Sequence, residues 1–294
     1  MDLPTLAAHA ADTLDGLAAG SRFASPVPRL SVFRSTAPTA LTPDLYEPVV
    51  CLILQGHKET TFGGSTLHVG PGQALLVSHH MPVSARIVTA TPDEPYLSLV
   101  LRLDLALLRS LSVEVRDGSD ARGPALGAAV QQPDPRMVDA LGRYLTMPDD
   151  DVERRVMGPL LLRETHFRLL MAPHSGMLRR LLRPDSHASN VQRAIARIRQ
   201  DYRSPLVVPS LAREVGMSAS SFHKHFREIT SSTPLQYHKE LRLLEARRLL
   251  GSGEHTVTNV AYDVGYASPN QFSREYARRF GVPPREHLPS TATG

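Results

Sequence analysis

Apolar residues follow two different rhythms along this chain of 294 residues. Residues 3–19 are rich in Ala and Leu and predict a short opening helix. From Pro28 to Arg102 the apolar positions come in short runs separated by Gly and Pro. The runs Arg29–Ser35, Val49–Leu54, Lys58–Phe62, Thr66–Val69, Gln73–Ser78, Val83–Val88 and Tyr96–Arg102 predict strands. Gly63-Gly64 marks a hairpin turn and Gly70-Pro71-Gly72 another. Short strands at this spacing predict an all-β sandwich or barrel rather than a strand–helix–strand unit. Val49–Leu54 is apolar on both faces, which places it deep inside.

After Leu103 the period lengthens to that of helices. Asp104–Leu111, Pro135–Thr146, Asp149–Met171 and Gly176–Leu182 are predicted helical. Residues 112–134 between the first two read as irregular, with a weak strand at Leu126–Gln131. Asp149-Asp150-Asp151 favours a helix start, and a break is expected at Pro173. Val152, Val156, Leu160 and Arg163 line one side of the long helix. Val156, Leu160, Phe167 and Leu170 form a broader band, suited to the β core or to a second subunit. Arg183–Ser189 reads as a polar linker. Ser189 then caps a helix with Val191, Ile195, Ile198 and Tyr202 on one stripe.

The remaining chain carries one short text twice. Leu211-Ala212-Arg213-Glu214-Val215-Gly216 is matched by Val260-Ala261-Tyr262-Asp263-Val264-Gly265, the glycines lying 49 residues apart. Ser218 and Ser268 are N-cap candidates for a following helix, and Gln271 completes a capping box with Ser268. Phe222, Phe226 and Ile229 make the buried stripe of the first such helix; Phe272, Tyr276 and Phe280 make that of the second. A short helix, a glycine stop, a capped turn and a second helix form a helix-turn-helix, whose second helix enters the DNA major groove. The outward sets are Ser220, His223, Lys224 and Arg227, and Asn270, Ser273 and Arg274, side chains suited to base edges and phosphates. Arg278 and Arg279 lie further along and are expected at phosphate. One such helix is most often an ordinary amphipathic one; two with matching stop, cap and stripe favour DNA. Pro234–Leu250 joins them as a rod of roughly 25 Å at 1.5 Å per residue. Such a rod suits two successive major grooves, about 34 Å apart.

Charge sharpens this division. Residues 186–294 hold 15 Lys+Arg and 9 Asp+Glu, a net of +6; the whole chain is +4, leaving −2 for residues 1–185. The basic surplus falls on the repeat-bearing part, as phosphate binding requires. No apolar run is long enough to span a membrane. The single cysteine, Cys51, and the absence of a leader pattern at the start point to a reducing cytoplasm.

Two stretches resemble a known family. Val264-Gly265-Tyr266, Ala267-Ser268-Pro269-Asn270-Gln271-Phe272 and Arg278-Arg279-Phe280-Gly281-Val282-Pro283-Pro284 resemble the DNA-binding signature of the AraC/XylS family of bacterial transcription regulators. That likeness runs from Asn190 to Leu288. Pro269 and the short Ser220 depart from the side chains that members often carry there. Cys51–Lys58, Gly70–Ser78 and Pro95–Arg102 resemble the cupin-like amino-terminal domain of one subgroup. The resemblance implies an α+β, two-domain chain. Residues 1–185 would form a cupin-like barrel with a helical dimerisation region; residues 186–294 would form an all-α domain with two helix-turn-helix motifs. It further implies a homodimer on double-stranded promoter DNA in the bacterial cytoplasm, associated with the nucleoid. A small-molecule effector would control it, and an activator would also touch RNA polymerase. Cys51, Ile53 and Leu99 are candidate effector-lining residues.

The competing chemistry is a cupin-type metal-dependent enzyme or carrier fused to a nucleic-acid anchor. His57, His68, His79 and His80 all fall in the β region. Metal cupins place two histidines two apart on one strand face with a Glu soon after, and no strand here does so. His79 and His80 are adjacent and point oppositely. His223 and His225 lie two apart on a helix and do not share a face. No metal, cofactor or catalytic set is therefore expected. Cys51 in an apolar strand is read as packing rather than as a reactive thiol. A third alternative makes the basic domain a protein-interaction module, distinguishable by an absence of DNA affinity.

Overall fold

The computed structural model describes residues 1–16, 22–115, 126–172 and 175–288. Residues 17–19 of the expected first helix, 116–125 of the expected irregular stretch and Pro173 lie outside them. Helix α1 (Leu3–Asp15) is followed by β1 (Phe23–Val27), β2 (Leu30–Ser35), β3 (Thr42–Tyr46), β4 (Val49–Gln55) and β5 (His57–Phe62). Then come β6 (Ser65–Val69), β7 (Ala74–Val77), β8 (Met81–Thr89), β9 (Tyr96–Arg102), α2 (Leu105–Val115) and β10 (Ala128–Gln131). Helices α3 (Pro135–Leu145), α4 (Asp151–Met171) and α5 (Gly176–Leu182) complete this part.

The strands make two antiparallel sheets, ordered β1-β2-β9-β4-β7-β10 and β3-β8-β5-β6. They face each other as a sandwich and are not hydrogen-bonded into a closed barrel. Gly56, with φ 74°, turns the chain from β4 in one sheet to β5 in the other. A Cβ there would strike the Thr89 carbonyl. Alternation along β4 divides its side chains. Val50, Leu52 and Leu54 join the core under the helices, where Leu6, Ala10 and Leu14 of α1 also pack. Cys51 and Ile53 join the core between the sheets, with Phe62, Val83 and Ile87 opposite.

Helix α4 begins at Asp150, whose carboxylate accepts from the Glu153 N–H at 2.8 Å. Leu161, Thr165, His166, Leu169 and Leu170 are buried, and Phe167 packs partly against the helix-side core. Val152, Val156 and Leu160, by contrast, are 58%, 55% and 54% exposed. The apolar band expected on this helix is thus split between core and surface.

Helix α6 (His187–Gln200) starts earlier than the sequence suggests. Its cap is Ser186, which accepts from the Ser189 N–H at 3.0 Å, while the Ser189 hydroxyl donates to the Ser186 carbonyl at 3.0 Å. The helices α7 (Val208–Glu214), α8 (Ala219–Thr230), α9 (Pro234–Ser252), α10 (Val257–Asp263) and α11 (Pro269–Phe280) follow, with a 3-10 turn at Pro284–His287. They enclose two cores. Val191, Ile195, Leu211, Phe222, Phe226, Tyr237 and Leu241 belong to the first. Leu243, Ala246, Leu250, Val260, Phe272 and Tyr276 belong to the second. Helix α9 supplies both.

The sandwich and the helical part meet along a hydrogen-bonded seam. The Gly127 N–H donates to the Ile229 carbonyl at 2.9 Å, and the Tyr237 hydroxyl donates to the His80 carbonyl at 3.0 Å. Gly127 permits this approach, because an added Cβ would collide with that same Ile229 carbonyl and with Met81. The His79 Nε2–H donates to the Ala188 carbonyl at 3.1 Å, leaving Nδ1 to accept from the Ser78 hydroxyl at 2.7 Å. Burial pushes the His79 imidazole down to about 4, against a partial opposing effect of the Ala188 bond. Burial, with Arg199 and His79 adding to it, pushes His80 to about 4 as well.

The seam is therefore built for neutral histidines. Folded-state values below the unfolded ones mean that the unfolded chain binds more protons between pH 4 and 6.5, so stability falls on acidification across that window. For His79 alone the loss from pH 7 to pH 5 is about 2 kcal/mol. Thermal melting across this range should show it. The variant His79→Gln, which keeps a donor for Ala188 and cannot titrate, should have a visibly flatter profile; an unchanged profile would remove His79 as the cause.

Candidate nucleic-acid interface

The two repeats of the sequence are the same object in space. In the first, the Gly216 N–H donates to the Arg213 carbonyl at 3.0 Å and the Met217 N–H to Ala212 at 2.9 Å. In the second, Gly265 donates to Tyr262 at 2.9 Å and Tyr266 to Ala261 at 2.9 Å. Ser218 then caps α8 by accepting from Ser221 at 3.2 Å, and Ser268 caps α11 by accepting from Gln271 at 3.5 Å. The inward rings repeat too. Phe222 and Phe226 lie 5.4 Å apart at 57°, Phe272 and Tyr276 5.4 Å apart at 56°. One difference from expectation is the second cap: the Gln271 amide donates to Glu275 at 3.4 Å, away from the helix end.

With these rings buried, the opposite faces point outward. Ser220, His223, Lys224 and Arg227 are exposed on α8, and Asn270, Arg274 and Arg278 on α11. Ser273 is half-buried. Ser218 and Ser268 hold helix ends, so their hydroxyl lone pairs are partly occupied. Among the described residues Lys224, Arg227, Arg274 and Arg278 form no ion pair, whereas many other cations of the helical part do. Unpaired cations on the outer faces of two capped helices are free to neutralise phosphates.

Arg279 is turned elsewhere. Its Nε donates to Glu240 on α9 at 2.5 Å, and its Nη atoms reach the Ser84 hydroxyl on β8 at 3.3 and 3.4 Å. Adjacent helical residues are 100° apart, so Arg278 and Arg279, both expected at phosphate, point in different directions. Arg279 serves the seam instead. A second tie fixes α11 on α9: Lys239 Nζ sits 2.9 Å from Glu275, which also accepts from the Tyr266 hydroxyl at 2.8 Å. Burial works against the Glu275 carboxylate, but the Lys239, Tyr266 and Gln271 bonds outweigh it and hold its pKa below the usual range. On the other side of α9, Arg242 donates to the Tyr202, Arg203 and Ser204 carbonyls at 2.6, 2.8 and 2.9 Å. These positioning residues pass unnoticed in the sequence, because their partners lie some 36 to 40 positions away.

The space between the sheets is the other candidate site. Cys51 and Ile53 belong to the core packed there. Leu99, expected there, faces the helices: it pairs with Leu52, while its neighbour Val100 pairs with Cys51 and shares the inward face. Ser98 and Val100 take the place assigned to Leu99. Register also brings Lys58, Thr60 and Phe62 of β5 inward, since they pair with Ile87, Ala85 and the β6 partners of that face. Lys58 Nζ lies over the Tyr46 ring, 5.0 Å from its centroid. Burial works against this ammonium, but the Tyr46 hydroxyl beside it, with the Cys51 and Tyr96 side chains near, outweighs that and holds its pKa above the usual lysine range. Cys51 is free and buried. The histidines do not converge. His68 pairs with Glu59 at 3.2 Å, and His79 and His80 belong to the seam. Among the described residues no group of three potential ligands could hold a metal ion, and no helix is long and apolar enough to cross a membrane.

Fold and paired reading helices together define a DNA-binding transcription regulator. Residues 26–177, more than half of the chain, match the family described as the AraC-type transcriptional regulator N-terminus, and residues 211–289 match a helix-turn-helix domain. The chain belongs to the AraC-type transcriptional regulators. It is similar to the HTH-type transcriptional activator RhaS of Salmonella schwarzengrund, 29% identical over 98 residues, or 33% of this chain and 35% of that protein. RhaS of Salmonella arizonae is 35% identical over 77 residues, 26% of this chain and 28% of the relative. The chain thus matches about a third of the length of these relatives. In fold it is similar to ToxT of Vibrio cholerae. The structure with an unsaturated fatty acid bound aligns with a TM-score of 0.58 at 13% identity, over 92% of this chain and 98% of ToxT. An apo ToxT variant aligns with a TM-score of 0.57 at 12% identity, over 90% and 98%.

The different settings of the two neighbouring arginines have separable consequences. Arg278→Ala should weaken binding to all duplexes alike and reduce the slope of log affinity against log salt by about one unit. Arg279→Ala should leave that slope nearly unchanged and instead cost about 1 kcal/mol of stability, as expected for a half-exposed ion pair. Fluorescence anisotropy at several salt concentrations, paired with thermal melts, reads both; equal slope changes for the two variants would contradict the assignment.

Proposed function

We propose that this chain is a homodimeric, effector-controlled activator of transcription that reads its site mainly through α11. The single observation that carries the reading is the set of exposed polar side chains on the outer faces of α8 and α11, backed by buried aromatic stripes. Asn270 and Arg274 lie one turn apart in the N-terminal half of α11, the part of a recognition helix that meets base edges. On α8, His223 and Lys224 take the base-facing positions with Arg227 between base and phosphate. Lysine's contacts are less geometrically constrained than arginine's, and Ser220 is short, so that half-site is read more loosely. Ser273, Ser218 and Ser268 are placed to donate to backbone oxygens. The helical reader spans residues 186–294 and the sensor residues 1–185, joined at residues 183–186. The effector is a small molecule held between the sheets near Cys51 and Ile53; the ligand-bound ToxT neighbour supports a sensor of this shape. The named RhaS relatives support activation, with RNA polymerase as the further partner, in the bacterial cytoplasm on nucleoid DNA. Membership of the regulator family favours this reading over a metal-dependent enzyme.

The homodimer is assigned to α4. Val152, Val156 and Leu160 recur at i, i+4 and i+8, an exposed apolar stripe that a second copy in antiparallel arrangement would cover. Leu160→Asp should convert the dimer to a monomer by analytical ultracentrifugation without lowering the melting temperature of the fold. It should also weaken operator binding, because the second reader loses its effective concentration. A variant that sediments like wild type would move the interface elsewhere.

The reading assignment is tested by binding-site selection on wild type, Asn270→Ala and Arg274→Ala. Each substitution should cost about 1–3 kcal/mol on the preferred site and relax the selected sequence at one or two base pairs. A uniform loss of affinity with the selected sequence unchanged would show that α11 is not the main reader.

A further inference from the structure

We infer that the space between the two sheets takes a monocarboxylate with an apolar tail, its charge on Lys58 Nζ and its oxygens accepting from the Tyr96 and Thr60 hydroxyls. The inference rests on the proposed effector site and gives its ligand a chemical class.

Two hydroxyls without a hydrogen-bond partner stand in this otherwise apolar core, beside an ammonium that meets Tyr46 and no carboxylate. Tyr96 and Thr60 are fully buried, and neither the Tyr96 Oη nor the Thr60 Oγ1 has a hydrogen-bond partner. Lys58 makes no ion pair among the described residues; its ammonium rests on the Tyr46 ring. Buried polar groups in native proteins are almost always satisfied, so a set left open together points to a missing ligand. The three are donors, and one is charged, so the complementary group is an anion with more than one acceptor oxygen.

Their placement gives the ligand a position. Lys58 and Thr60 share the inward face of β5 in the four-stranded sheet, while Tyr96 comes from β9 in the six-stranded sheet. A carboxylate between them would bridge the sheets. Asp44 on β3 acts on Lys58 electrostatically but forms no ion pair with it, and its carboxylate accepts from the Leu45 N–H at 2.7 Å. Around the polar centre the walls are apolar: Phe33 meets Tyr96 edge-on at 5.9 Å, with Phe62, Val83 and Ile87 opposite. Apolar walls of this kind favour a tail over a second charge.

The same strand connects this site to the reader. Tyr46, under the Lys58 ammonium, is on β3. Its neighbour Leu45 packs on the core of the first helix-turn-helix, and the Pro43 carbonyl accepts from Arg247 of α9 at 3.2 Å. An anion that draws Lys58 off the Tyr46 ring therefore acts on a strand whose outer side touches both helical elements.

The test uses the full chain and a panel of monocarboxylates, from acetate to decanoate and including benzoate, each beside its uncharged amide at matched ionic strength. Thermal melting reads binding. At least one carboxylate should raise the melting temperature saturably, and its amide should bind about tenfold more weakly or worse. Lys58→Met, which keeps the stem, should lose that ligand by about tenfold or more, and Tyr96→Phe, which removes only an unpartnered hydroxyl, by several-fold. If Lys58→Met does not fold, the amide comparison and Tyr96→Phe decide. No stabilising carboxylate, an equally effective amide, or undiminished binding to the folded variants would overturn the inference. A neutral compound that stabilises wild type and Lys58→Met alike would sink the anion while leaving an effector site between the sheets intact. Failure of every charged and neutral compound would remove both.

Discussion

Everything in the helical part depends on α9 being buried on several sides at once. Tyr237 and Leu241 near its start belong to one core, Leu243, Ala246 and Leu250 further on to the other. Its capping box, in which Thr233 and Gln236 satisfy each other's backbone donors, fixes where the helix begins. A helix of 19 residues held in this way is a spacer of about 28 Å, and it cannot bend without opening two cores together. The relation between α8 and α11 is therefore a property of one rigid element rather than of a linker. The ion pairs from Lys239 and Glu240 to α11, and the Arg242 bonds to the turn that follows α6, add direction to that packing.

The same helix faces the sandwich. Tyr237 donates to the His80 carbonyl, Arg247 to the Pro43 carbonyl, and Glu240 holds Arg279 beside Ser84. Hydrogen bonds to backbone carbonyls require the two surfaces to keep one registry, and Gly127 allows the approach where a side chain would block it. The sandwich and the helical part thus share a surface through the element that sets the spacing of α8 and α11.

Cations in this part of the molecule divide by what they face. Arg242 and Arg279 are consumed in holding helices together, while Lys224, Arg227, Arg274 and Arg278 have no counter-charge among the described residues. Leaving a cation unpaired at the surface costs little in water. Such cations keep available the counterion-release gain that a pre-formed ion pair would forfeit. A positive net charge alone would not distinguish these two groups.

Local rules were enough for much of this. The repeated stop, cap and aromatic stripe are short-range patterns dictated by helix geometry, so both helix-turn-helix motifs and their outward side chains could be read from order alone. The strands with clean alternation were equally legible. β1 and β3 were not, because Pro26 and Pro43 interrupt them; both are edge strands, where a missing donor is tolerated. Ser189 looked like a cap and Ser186 proved to be it, since either hydroxyl could close that turn and only the path from α5 selects one. What tertiary structure decided was pairing over distance. An open sandwich in place of a closed barrel, Leu99 facing helices rather than the core between the sheets, and the pairing of Arg279 with Glu240 all depend on which strand or helix lies alongside. The burial of Lys58 beside unpartnered hydroxyls has the same origin. A residue's own neighbours in sequence determine its helix, strand or cap, but the partner that consumes or frees its side chain is set only when segments far apart in the chain are packed together.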